Sequence, residues 1–278
     1  SACTACSAGK FKAAVASAAA CTDCSSGKYN TATAQTACTD CPGNTNNGQS
    51  GNTVNCLADW GYTGDAVSDN VAACVAGKFK AAPESSAACT DCPSGTYNTA
   101  TAQTADTCNN CPSNTGVTSS GSDALASCLA DAGYTGDGTS VAACAAGKFK
   151  ATGESSAACT ECGSGKYNTV AAQTTNTCVN CPDHTAVTST GSDVESACLA
   201  EGGYTGVLPN VVACAAGKFK AASESSATCN DCPTNTGVTS SGSDTLASCL
   251  ADAGYTGDGT NVAACVVGQF KATAESSA

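Results

Sequence analysis

The sequence predicts small disulfide-rich repeats: an elongated rod of short β-hairpins and loops, with little helix and no single large core. Three observations predict it. Cysteine makes 24 of the 278 residues, a density typical of disulfide scaffolds. Leu, Val and Phe together make 30 residues, and Ile and Met are absent; that share, about 11%, is well under the roughly 20% below which charged chains stay disordered. The cysteines also keep a strict period, with Cys74, Cys144 and Cys214 evenly spaced along the chain. Most of the nominal hydrophobic fraction of 42% is Ala and Cys, and alanine buries too little surface to offset roughly 1–2 kcal/mol of backbone entropy per ordered residue. Cross-links must supply the difference. Each bridge closing a loop of about 15 residues contributes roughly 3 kcal/mol in the chain-entropy treatment.

Between Cys74 and Cys144 the cysteine intervals run 15, 3, 16, 3, 17 and 16, and the same series follows from Cys144 to Cys214. The series from Cys6 to Cys74 is 15, 3, 14, 3, 15, 18, and that from Cys214 to Cys265 is 15, 3, 17, 16, shorter by one sub-module. The chain therefore divides into the end of a preceding loop (1–5), repeat 1 (6–73), repeat 2 (74–143), repeat 3 (144–213), a short repeat 4 (214–264) and the start of a further repeat (265–278).

Each full repeat holds three loops bounded by cysteines. In repeat 2 the first begins Cys74-Val-Ala-Gly-Lys-Phe-Lys and ends at Cys89, the second begins Cys92-Pro-Ser-Gly-Thr-Tyr-Asn and ends at Cys108, and the third begins Cys111-Pro-Ser-Asn-Thr-Gly-Val and ends at Cys128. Loops one and two read as copies of one unit, a cysteine followed by a glycine turn and an aromatic among strand-forming residues. Gly77, Gly95, Gly147 and Gly165 permit positive φ in that turn, and Phe79, Tyr97, Phe149 and Tyr167 are expected to lie on the disulfides. A spacer containing Gly133-Tyr134-Thr135-Gly136 then leads to the next repeat. The Ala-rich stretches lack an amphipathic stripe, which argues against helix.

The cysteines allow rival chemistries. Cys89-Thr-Asp-Cys92 followed by Cys108-Asn-Asn-Cys111 fits the spacing of a four-thiolate zinc site. Such a site would strand Cys128 and Cys144, and the short repeat keeps Cys229 and Cys232 without a second pair. The C-x2-C pairs also resemble redox motifs, but a catalytic pair sits once on a βα scaffold rather than recurring along a chain. Six cysteines permit 15 pairings. Sequential pairing is the reading adopted: Cys6 with Cys21, Cys24 with Cys38, Cys41 with Cys56, Cys74 with Cys89, Cys92 with Cys108, Cys111 with Cys128, Cys144 with Cys159, Cys162 with Cys178, Cys181 with Cys198, Cys214 with Cys229, and Cys232 with Cys249.

This pairing leaves Cys3 and Cys265. Cys265 opens a loop, Val266-Val267-Gly268-Gln269-Phe270-Lys271, that stops at Ala278 where a closing cysteine is due, and Cys3-Thr4-Ala5-Cys6 has the form of a closing pair. Joining Ala278 to Ser1 of another copy gives the two cysteines nearly the spacing of Cys214 and Cys229. The expectation is head-to-tail continuation, as one longer chain or as subunits linked from Cys265 to Cys3. A contact of that kind does not close on itself and builds a fibre.

The run Cys92-Pro-Ser-Gly-Thr-Tyr, then Cys108-Asn-Asn-Cys111-Pro-Ser-Asn-Thr, Gly121-Ser122, Cys128 and Gly133-Tyr134 resembles the ephrin-receptor-like cysteine-rich module. Tandem copies resemble those in surface proteins of protists and algae, including ciliate immobilisation antigens. The resemblance covers nearly the whole chain and implies a spacer, coat or adhesive stalk. One departure stands out. The family usually has a second cysteine two residues after the position of Cys128, where this chain has Ala130, so the EGF-like half of the module is incomplete.

Charge narrows the function further. All 11 basic residues are Lys, and 23 acids leave a net charge of −12, so a nucleic-acid polyanion is repelled and the planar Arg donors that read it are missing. No run of 18 apolar residues is present to span a bilayer as a helix. The segment is expected to be a mature protein or part of a longer one, placed outside the cell or on its surface by its cysteine usage. His184 is the one histidine, has no matched nucleophile or base, and reads as a surface residue where another copy has Asn114. Asp137-Gly138-Thr139 and Asp258-Gly259-Thr260 lack the alternating ligands of a calcium loop. Asp123, Asp193 and Asp244 read as turns or helix caps. The lysines of Gly-Lys-Phe-Lys are expected to snorkel over the aromatic, and Trp60, at the position of Ala132, is assigned no ligand. No Asn-x-Ser/Thr sequon occurs, and the abundance of Ser and Thr predicts O-linked glycan instead. The expected function is an extracellular structural protein forming a surface filament or coat, without catalytic, cofactor or metal residues; the alternative is an adhesion or ligand-binding stalk of a receptor-like ectodomain.

Overall fold

The computed structural model describes residues 3–14, 18–51, 56–66, 68 and 70–274. Among them the secondary structure is antiparallel hairpins, mostly with two-residue strands, and three single-turn 3₁₀ helices at Leu125–Ser127, Glu195–Ala197 and Leu246–Ser248. The described residues contain no α-helix. By contact density the chain falls into two compact units. One comprises Ser1–Asp131, Gly136–Val141 and Gly153–Ser156; the other comprises Ala132–Thr135, Ala142–Thr152 and Ala157–Ala278.

Within the first unit, Lys78–Phe79 pairs with Thr90–Asp91, Thr96–Tyr97 with Asn109–Asn110, and Thr115–Gly116 with Leu129–Ala130. All three cysteine loops are thus the same hairpin. The expected spacer is a fourth one, a correction to the sequence reading. Tyr62–Thr63 pairs with Ala72–Ala73 in the first unit, and in the second Tyr204–Thr205 pairs with Val212–Ala213 and Tyr255–Asp258 with Asn261–Ala264. Tyr, Thr and Val supply strand propensity there. Gly206, at φ +102°, must be glycine, because a Cβ would sit 2.2 Å from the Asn210 carbonyl.

Such short strands persist because each hairpin is hydrogen-bonded to the next through main-chain atoms. The Gly77 N–H donates to the Asn98 carbonyl (2.7 Å) while the Gly77 carbonyl accepts from the Cys92 N–H (2.8 Å). The Lys80 N–H donates to Gln103 (3.0 Å) and the Ala102 N–H to Cys74 (2.8 Å). At Gly77, φ +81° and a Cβ that would lie 2.2 Å from the Gly121 carbonyl exclude any side chain. The second unit repeats the set: Gly147 to Asn168 (2.6 Å), Cys162 to Gly147 (2.8 Å), Lys150 to Gln173 (3.0 Å) and Ala172 to Cys144 (2.8 Å).

The short repeat shows how general this ladder is. Its second sub-module is missing, so the first hairpin meets the third type directly, and the same bonds form: Gly217 to Val238 (2.8 Å), Cys232 to Gly217 (2.9 Å), Lys220 to Ser243 (3.0 Å) and Gly242 to Cys214 (2.8 Å). Because these bonds use main-chain atoms, a hairpin can be deleted without leaving an orphaned donor or acceptor.

The buried apolar residues are mainly half-cystines. They are joined by Ala58, Ala130, Ala200 and Ala251 and by Val117, Val187 and Val238. One cysteine of each bridge is buried and the other is more exposed.

Candidate functional site

Among the described residues eleven disulfides form, each joining the first cysteine of a loop to its last, with Cα–Cα separations of 5.6 to 5.8 Å. Cys89, Cys92, Cys108 and Cys111, whose spacing suits zinc, are divided among three bridges: Cys89 bonds Cys74, Cys92 bonds Cys108, and Cys111 bonds Cys128. Cys3 and Cys265 carry free thiols, Cys3 exposed and Cys265 half-buried. Ser1 and Ala278, on which the head-to-tail junction depends, lie outside the described residues.

The bridge-free fourth hairpin has the register of a bridged one. Ala200 lies four residues before Tyr204, as Cys214 lies four before Lys218; Val211 immediately precedes Val212, as Cys229 precedes Asn230. The Tyr204 N–H closes its turn on the Glu201 carbonyl (3.1 Å), as Lys218 does on Ala215 (3.1 Å). An Ala–Val pair therefore stands where the other hairpins have sulfur, and Ala200, like Ala58, Ala130 and Ala251, is 0% exposed.

What holds this hairpin is a lysine. The third residue after the left-handed turn position faces inward in most of the bridged hairpins and is buried as Asn30, Asn98 and Asn168, as Val117, Val187 and Val238, and as Lys80, Lys150 and Lys220. The lysines were expected to snorkel. Instead Lys220, 1% exposed, sends its Nζ into a cage of carbonyls and donates to Ala200 (2.9 Å), Tyr204 (2.8 Å), Glu201 (3.3 Å) and Ser225 (2.8 Å). Three of those acceptors belong to the preceding bridge-free hairpin. Lys80 repeats the arrangement on Ala58 (3.0 Å) and Ser85, and Lys271 on Ala251 (2.7 Å). An ammonium has three donors and no acceptor, so a ring of carbonyls satisfies it without a carboxylate. Burial pushes the pKa of Lys220 below the ordinary lysine value; the same desolvation acts on Lys80, opposed by the charge of Asp59.

The first lysine of each Gly-Lys-Phe-Lys behaves differently. Lys10, Lys78, Lys148 and Lys218 pair across the hairpin with Asp23, Asp91, Glu161 and Asp231, about 40% exposed on the lysine side. Exposed pairs of this kind contribute roughly 0.2–1 kcal/mol.

The other singled-out residues are architectural. His184 fills the left-handed turn position (φ +61°) that Asn114 fills in repeat 2, and its ring stacks on Tyr204 with centroids 3.9 Å apart. Asp137 and Asp258 each accept from the N–H (2.8 Å) and hydroxyl of the threonine two residues on, and these bonds, the hydroxyl first, hold both carboxyls below their usual pKa. The 3₁₀ turns begin at Ala124, Val194 and Thr245 with no side-chain cap bond, so Asp123, Asp193 and Asp244 do not cap them. Phe79 and Phe149 are half-buried, each bridging to a glutamine of the next loop, Gln103 and Gln173. Trp60 stays 45% exposed.

Among the described residues no three His, Cys, Asp or Glu side chains gather as a metal would require, and no helix is long and apolar enough to cross a membrane. The buried lysine was the functional feature that sequence reasoning missed. No family model matches the sequence, and no curated protein does.

Proposed function

We propose that this chain is an extracellular structural protein, a disulfide-stapled repeat segment of a surface filament or coat, without catalytic function and carrying O-linked glycan. The observation that carries this reading is the main-chain ladder, which joins one hairpin to the next in the same way whichever sub-module follows. Stability distributed over identical junctions suits a protein whose task is length rather than recognition. Eleven bridges in 278 residues belong to an oxidising compartment. Ephrin-receptor-like ancestry accounts for the cysteine pattern, and Ala130 marks where the module has lost a sulfur.

This reading takes Cys265 and Cys3, the two free thiols among the described residues, as the link from one copy or segment to the next. Cys265-Val-Val-Gly-Gln-Phe-Lys forms the turn of a first-type loop, Gln269 to Val266 (3.0 Å), and its ladder bonds to the preceding hairpin are made, Gly254 to Lys271 (3.0 Å) and Cys265 to Gly254 (2.9 Å). Phe270 is 87% exposed where its counterpart Phe219 is half-buried. Electron microscopy of the native material, with non-reducing mass mapping, is expected to show extended polymers or long chains containing a Cys265–Cys3-type peptide. Discrete short particles with both thiols free and a bound ligand at one repeat would support the adhesion alternative. Trp60, standing where repeat 2 has Ala132, is the observation on that side.

A further inference from the structure

A disulfide shunts the loop that it closes. When the two ends of this chain are pulled, tension passes through sulfur, and the 14 to 17 residues spanned by each bridge bear none of it. Between bridges most connections are the two residues of a C-x2-C pair, such as Thr90-Asp91. Three are long, Cys56 to Cys74, Cys128 to Cys144 and Cys198 to Cys214; the hairpin after Cys249 has no bridge beyond it, since Cys265 is free. These are the bridge-free hairpins. They are the segments of the oxidised chain with substantial slack to give.

Two things resist their opening in repeat 3. One is the short strand pairing of Tyr204 with Ala213 and Thr205 with Val212. The other is Lys220, which is anchored inside the closed loop Cys214–Cys229 and grips the carbonyls of Ala200, Glu201 and Tyr204. Peeling the hairpin away must break those bonds together and leave the ammonium with the Ser225 carbonyl alone of its four acceptors, so the lysine resists until it lets go at once.

We propose that the bridge-free hairpin is the extensible joint of each repeat, latched by the buried lysine of the next hairpin, and that tension opens it without reducing any bridge. At about 3.3–3.6 Å per residue, the longest of these connections reaches at most about 65 Å. The protein is then a chain of stiff cross-linked blocks with one yielding link per repeat. This concerns the mechanics of the chain itself and goes beyond the filament reading, with which it neither stands nor falls.

Single-molecule stretching of the oxidised 278-residue chain, held through added terminal handles with its free thiols blocked, tests it. The expected record contains discrete steps shorter than about 65 Å, one for each long connection. Ala200→Cys with Val211→Cys removes one step, and Lys220→Met keeps the length of that step but lowers its force. Non-reducing intact mass confirms that each variant has its full set of bridges before it is pulled. An oxidised chain with no discrete step before detachment, or an unchanged number of steps in the double-cysteine variant, overturns the joint. An unchanged step force in Lys220→Met overturns the latch.

Discussion

Two neighbouring hairpins in the second unit, Ala200–Ala213 and Cys214–Asp231, share turn, register and ladder, yet one is closed by sulfur and the other is not. The difference teaches what a hairpin in this chain requires. Two-residue strands do not hold by pairing alone, so each needs an external constraint. Cys214–Cys229 supplies it covalently. For the Ala–Val hairpin, Lys220 supplies it from the adjacent loop through charge-assisted bonds to the hairpin's own carbonyls. The lysine is fixed because its own loop is bridged, so the non-covalent joint depends on the covalent one beside it.

The largest expected effect comes from removing both kinds of constraint. At roughly 3 kcal/mol for each bridge, eleven exceed the roughly 5–15 kcal/mol net stability of ordinary domains. Reduction is therefore expected to abolish the far-ultraviolet signature and hydrogen-exchange protection throughout. Lys220→Met separates the two constraints. It removes a buried charge but takes donors away from buried carbonyls, and the second effect dominates, with an expected loss of about 2–3 kcal/mol and exchange protection lost first around residues 200–213. The converse change, Ala200→Cys with Val211→Cys, is expected to form a twelfth bridge and stabilise by about 2–3 kcal/mol. It should also make Lys220→Met much milder in the combined variant, the coupling that a shared constraint requires. Asp231→Asn, which breaks only the exposed pair with Lys218, is expected to cost less than about 1 kcal/mol.

The sequence made some of this legible. Cysteine spacing and the glycine turn announced hairpins, and the scarcity of Leu, Val and Phe announced the lack of a single large core. The fourth hairpin was hidden because it has no cysteine. Its signature was nevertheless present, as Gly203-Tyr204-Thr205-Gly206 stands three residues after Ala200 just as Gly217 stands three after Cys214. Lys220 was hidden by a sound expectation, since lysine almost always keeps its head in water. Aligning the hairpins on their turns would have placed Lys220 in one column with Asn98, Asn168 and Val238, a mixture that signals an inward position. His184 was legible as a turn residue through its match with Asn114, while its stacking on Tyr204 depends on tertiary packing that spacing does not report.

Amine acylation of the native oxidised chain, read by peptide mass, tests the lysine clamp most directly. Lys80, Lys150 and Lys220 should remain unmodified while Lys10, Lys78, Lys148 and Lys218 react, and all seven should react once the bridges are reduced. Labelling of Lys220 as fast as Lys218 in the intact protein would contradict the account.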